Sequence, residues 1–116
     1  MKFTALVAII EDKDEERAVD IAKEAGAGGV TIIHGKNIGL EEKKVFFGLT
    51  LEENVSILLF VLPRRLSMHV MKSLRNEFDM ESEESTGMAF TIPLSHLTGI
   101  THDELDMFEE NIKTTI

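Results

Sequence analysis

Val55-Ser56-Ile57-Leu58-Leu59-Phe60-Val61-Leu62, followed at once by Pro63-Arg64-Arg65, is the stretch on which the fold turns. A short, nearly unbroken apolar run of this kind, rich in β-branched residues, reads as a strand covered on at least one face. Pro63 stops it, and the fixed φ of proline suits the opening of a helix. Downstream, Leu66, Val70, Met71, Leu74 and Phe78 recur on one helical face, and the acid-rich stretch from Glu77 to Ser85 closes that helix. Gly87 to Ile92 then supplies a last strand, ended by Pro93. Upstream, the segment from Phe3 to Ile10 is a second apolar run, bounded by Glu11-Asp12-Lys13-Asp14. From Asp14 to Ala25, Ala18, Ile21, Ala22 and Ala25 keep helical spacing behind an acidic first turn, with Gly26 placed for a left-handed cap. Val30 to Ile33 favours another strand, and the stretch 34–53 has no sustained period and reads as a long loop.

The resulting order, βαββαβ, predicts an α+β ferredoxin-like sandwich in which two helices cover one face of an antiparallel sheet. Both apolar runs are hydrophobic at odd and even positions, so Val7, Ile9, Leu58 and Phe60 cannot all lie under the helices. The other face needs a cover, most simply a second subunit. The tail adds a short helix. Thr101-His102-Asp103-Glu104 offers a cap and acidic first turn, and Leu105, Phe108 and Ile112 line up on one side. A helix of about 12 residues is marginal in water, so this stripe is expected to pack on something. The organisation expected is one domain over 1–116, with a core at about 3–101 and an amphipathic tail at 102–116.

Composition narrows function. With 12 Lys plus Arg against 21 Asp plus Glu, the net charge of −9 repels a phosphate backbone, which argues against nucleic-acid binding. The absence of cysteine excludes disulfides, thiolate metal sites and cysteine nucleophiles. The apolar start is too short to span a membrane and lacks a cleavage site, so no direct membrane insertion and a cytoplasmic location are expected. Gly26-Ala27-Gly28-Gly29 runs from helix to strand, the reverse of a dinucleotide fingerprint, and Gly35-Lys36 has no glycine at position 30 to complete a phosphate loop. His34, His69, His96 and His102 are scattered and show no metal-ligand spacing. No nucleophile turn is present, and no catalytic residue is assigned.

Three features remain. Arg64 and Arg65 stand at a helix start, where the dipole disfavours cations by roughly 0.3–1 kcal/mol each. They are either an anion clamp at a subunit seam or solvated charges offsetting an acidic chain. Phe46-Phe47 beside Lys36, Lys43 and Lys44 either tucks onto the sheet or docks on a partner. The acidic turn of Glu77, Asp79, Glu81, Glu83 and Glu84 lacks EF-hand spacing and is assigned no role.

In element order and spacing the chain resembles the P-II nitrogen regulatory and signal-transduction superfamily over roughly residues 3–101. Val7-Ala8-Ile9-Ile10 resembles the family's first strand, and Ala25-Gly26 with Gly29-Val30-Thr31 its turn into the second. Gly39 falls where its long signalling loop opens, and Gly87-Met88-Ala89-Phe90-Thr91-Ile92-Pro93 resembles its nucleotide-contacting loop and last strand. The resemblance implies a non-enzymatic homotrimer that senses ATP, ADP or AMP at clefts between subunits. It also implies that loop 34–53 reaches a target protein, such as a membrane transporter or a nitrogen-metabolism component. The carry-over covers Thr31, Gly39 and Gly87, with Leu62 and Arg64 as neighbours across the cleft. There are departures. Met88 replaces the family's lysine after Gly87, its two later arginines fall at Gly99 and Thr101, and a chain without tyrosine cannot be uridylylated there. The alternatives are a structural or assembly trimer of the same fold with no nucleotide site, and a metal-tolerance-type trimer, which the missing cysteines and sparse histidines oppose.

Overall fold

A computed structural model describes residues 2–38, 45–46, 49–50, 52–82 and 87–115. The element order is β1 (Phe3–Glu11), a 3-10 turn (Asp12–Asp14), α1 (Glu15–Glu24), β2 (Thr31–Ile38), β3 (Val45–Phe46), β4 (Leu49–Thr50), β5 (Glu52–Pro63), α2 (Arg64–Glu77), β6 (Met88–Pro93) and α3 (His102–Thr115). The main sheet has the order β2-β5-β1-β6 with every pair antiparallel, and β3 pairs separately with β4. This is the ferredoxin-like α+β arrangement with an added C-terminal helix.

The register sorts the two apolar strands into faces, because directly paired residues point the same way. Leu6, Ala8 and Ile10 of β1 pair with Phe60, Leu58 and Ser56 of β5, and all are buried. The apolar ones share one core with Ala18, Ala22 and Ala25 at α1 and Leu66, Val70 and Leu74 of α2. The opposite parity, Val7 with Leu59 and Ile9 with Ile57, faces away from the helices. Leu58 and Phe60 therefore lie beneath the helices, and Val7 and Ile9 on the open face.

Helix ends follow sequence chemistry. Gly26, at φ 110°, turns the chain out of α1, and the Ala27 amide bonds back to the Ala22 carbonyl at 3.0 Å. Arg17 of α1 reaches the C-terminal end of α2, pairing with Glu77 at 3.2 Å and lying 4.4 Å from the Phe78 ring centre. At α3 the Glu104 amide donates to Thr101 Oγ1, and the Thr101 hydroxyl donates to the Glu104 carboxylate, both at 3.2 Å. The tail packs on its own protomer. Phe108 is buried edge-on to Phe3 at 5.9 Å, and Asn111 Nδ2 donates to the Gly26 carbonyl. No helix is long and apolar enough to cross a membrane among the described residues.

One expectation is corrected. The stretch 34–53 is not all loop, since β2 runs on to Ile38 and β5 begins at Glu52. Gly35, Lys36 and Asn37 are weak strand formers, but pairing to Val55, Asn54 and Glu53 supplies the ladder that their own propensities do not. The excursion between the long strands is thus 39–51. Gly39, Lys43, Lys44 and Phe47 lie outside the described residues, as does the Phe46 side chain.

Candidate functional site

The two ends of the sheet carry different chemistry. At the end marked by Phe3, Pro63 and Pro93, a cleft of about 1020 Å³ opens between β1, the start of α2 and the 94–100 segment, with α3 alongside. Lys2, Arg64, Met68, Gly99, Leu105 and Glu109 are among its lining residues. Arg64 begins α2, whose first turn contains no acid, and its amide donates to the Lys2 carbonyl at 2.9 Å. Beneath it, the buried Thr4 hydroxyl donates to Ser67 Oγ, which donates in turn to the Arg64 carbonyl at 2.7 Å. The backbone under the arginine is thus pinned, while its side chain is exposed and has no ion pair among the described residues. A pinned backbone with a free guanidinium at a helix start is suited to receiving an anion.

At the opposite end, where the 39–51 excursion leaves the sheet, Asp12, Glu15, His34 and Ser56 meet. Register places His34 opposite Ser56 and Ser56 opposite Ile10, two residues before Asp12. Ser56 Oγ is 2.7 Å from both Asp12 Oδ1 and Glu15 Oε1, and His34 Nε2 is 2.6 Å from Glu15 Oε1. The Ser56 hydroxyl, and next the His34 ring, hold the Glu15 carboxyl below the usual carboxylate value against the opposing effect of desolvation.

The residues singled out from sequence do not converge within one protomer. Leu62 is buried beside Arg64 at the cleft end. Thr31 is exposed on the β2 edge, level with Leu59. Gly87 precedes β6 on the other edge, near Ile9, where an added Cβ would meet the Ile9 carbonyl at 3.4 Å. The Phe3 and Ile9 levels are separated by roughly 20 Å of strand. Met88, at the position of the family's lysine, sits opposite Ile9 on the open face and is 56% exposed, an apolar surface in place of a cation. Gly99, at the position of one family arginine, does line the cleft, as Arg64 does. The carboxylate–imidazole cluster was not visible in sequence, because positions 12, 15, 34 and 56 have no motif spacing.

No protein-family model matches the chain, and no curated protein matches it. Solved structures do. CPII from Thiomonas intermedia K12, a nitrogen regulatory PII-like protein bound to ADP, AMP and bicarbonate, matches at TM-score 0.62 and 18% identity, over 86% of this chain and 98% of that one. The Bacillus subtilis GlnK–ATP complex matches at TM-score 0.64 and 13% identity, over 81% and 84%. CutA1 from Oryza sativa matches at TM-score 0.62 and 11% identity, over 96% and 94%. At such identities the likeness speaks for backbone architecture, and it agrees with the strand order and helix placement seen here. The chain has the PII-like form of the ferredoxin-like fold.

Proposed function

We propose that this chain is a non-enzymatic regulatory protein: a homotrimer that takes an adenine nucleotide (ATP, ADP or AMP) at clefts between subunits and adjusts a target protein through the 39–51 excursion. The observation that carries the reading is the open sheet face. In one protomer Ile33, Val61, Met88, Phe90 and Ile92 are exposed there beside Val7, Ile9, Ile57 and Leu59. A contiguous apolar face of this extent favours burial against other copies of the same sheet. Subunit packing also answers the scatter of Thr31, Leu62, Arg64 and Gly87, since a cleft between subunits joins the edge of one sheet to the edge of the next. Nucleotide binding is supported by the bound ADP, AMP and ATP in the structural neighbours and by the exposed Arg64 on the wall of one cleft. A membrane transporter is one target class consistent with this reading, and the protein would act in the cytoplasm.

Light scattering and calorimetric titration with ATP, ADP and AMP test the proposal. The expected result is a trimer that binds a nucleotide. Arg64→Ala should lower affinity by roughly ten- to a hundredfold, the worth of one charged hydrogen bond. A monomer at micromolar concentration overturns the assembly, and unchanged affinity in Arg64→Ala removes the arginine from the site. The second reading, an assembly trimer with no nucleotide site, is favoured by the exposed Met88 and by Gly99, which stand where the resembled family has cations. A trimer that gives no heat with any of the three nucleotides selects it.

A further inference from the structure

We propose that Asp12, Glu15 and His34, seated over Ser56, form a binding site for a first-row divalent cation such as Zn2+, which ties the middle of β2 to the start of α1. This proposal does not rest on the nucleotide reading. The three ligand-bearing side chains come from three successive parts of the fold, the 3-10 turn, α1 and β2, and their ligand atoms lie within 4.8 Å of one another. Two carboxylate oxygens and one imidazole nitrogen form a mixed set that suits zinc, manganese or ferrous iron better than magnesium or calcium, which favour oxygen alone.

Two observations point to a cation rather than to a finished hydrogen-bond cluster. Ser56 is fully buried, and its hydroxyl carries one hydrogen, yet two carboxylate oxygens lie 2.7 Å from it. One of those oxygen–oxygen contacts therefore lacks a proton, and added positive charge relieves it. The charge balance agrees. The cations nearest in sequence are engaged elsewhere, Lys13 with Glu11 at 3.2 Å and Arg17 with Asp14 and Glu77. Among the described residues Asp12 and Glu15 have no lysine or arginine partner, and their partners are the serine hydroxyl and the imidazole.

The approach is open. His34 has 66% of its side chain exposed and Glu15 31%, so the ring can turn outward. An ion bonded at about 2.0–2.2 Å to each ligand requires the present 2.6 Å contact between Glu15 and His34 to widen. Ser56 then keeps its hydrogen bond to a carboxylate, as an outer group that orients a metal ligand. Occupancy would fasten β2 to the start of α1 at the level of His34, within the strand that runs on to Ile38.

The test is calorimetric titration of the full-length, chelator-treated protein with ZnCl2 and MnCl2, with MgCl2 as the control and no nucleotide present. The expected result is one Zn2+ per chain, a raised melting temperature, and slower hydrogen exchange in residues 31–38. His34→Ala and Asp12→Asn should each weaken Zn2+ binding by roughly tenfold or more, while His69→Ala and His96→Ala leave it unchanged. Circular dichroism of the metal-free variants verifies that each is folded. No Zn2+ or Mn2+ heat, or Zn2+ binding that survives both His34→Ala and Asp12→Asn, overturns the proposal.

Discussion

The two faces of one sheet, built from the same strands, have been left in different conditions. On the helix side Leu6, Leu58, Phe60 and Leu62 are essentially without solvent contact, and the polar groups among them find partners, Thr4 in Ser67 and the Ser56 hydroxyl in one of the two carboxylates beside it. On the other side Phe90 is 41% and Ile92 47% exposed, although their neighbours Val7 and Ala5 are as apolar as anything in the core. A helix-covered face is complete within one chain, whereas the bare face reaches comparable burial only by association. Burying a large apolar side chain contributes about 1.5–3 kcal/mol on either face, so the kind of side chain that stabilises folding on one would, under the proposed assembly, stabilise association on the other.

The sharpest way to break that comparison is a charge on each face. Phe60→Asp buries a carboxylate beneath the helices and should abolish folding, seen as loss of the circular dichroism signal at all temperatures. Phe90→Asp should leave the spectrum native and reduce the light-scattering mass to that of one 13.0 kDa chain. If both variants unfold alike, the two faces are not energetically separate.

A smaller effect is expected at the tail, which packs on Phe3 and reaches Gly26 of its own protomer. Phe108→Ala removes the ring packed against Phe3 and should destabilise by up to about 3 kcal/mol without changing oligomer mass. A fall in mass would instead place α3 in an intersubunit contact. Smaller again, Ser67→Ala strands the buried Thr4 hydroxyl and should cost about 1–3 kcal/mol in denaturant unfolding.

The smallest effect is a pH dependence on the helix side. Glu15 has a folded value below its unfolded one, so its contribution is present above the ordinary carboxylate range and is lost as pH falls through that range toward the lowered value. Comparing native protein with Glu15→Gln, without metal, from about pH 7 to about pH 3 should show the native advantage shrinking on acidification. Parallel curves would mean that the Ser56 and His34 contacts do not favour the ionised form.

Much of this architecture was legible in the order of residues, because it depends on local periodicity. The run 55–62 could only be a covered strand, Leu66, Val70 and Leu74 could only share a helical face, and Gly26 sat where a left-handed residue was needed. Thr101 and Glu104 formed the cap that their spacing suggested. The end of β2 was not legible, since Gly35-Lys36-Asn37 is strand only through the hydrogen bonds of β5, a partner about twenty residues away in sequence. Nor was the choice of face, because alternation shows that two faces exist and, where both are apolar, not which one the helices take. The two sites depended still more on three dimensions. Arg64 and Gly99 line one cleft because α2 starts at the sheet end where β6 finishes, and Asp12 and Glu15 meet His34 and Ser56 because two antiparallel registers bring these separate stretches of chain together. Sequence alone determined the two long apolar strands, the last strand and the helices, which draw on interactions a few residues apart; register and packing, which act across the whole chain, decided the strands within 34–53 and which side chains the elements bring together.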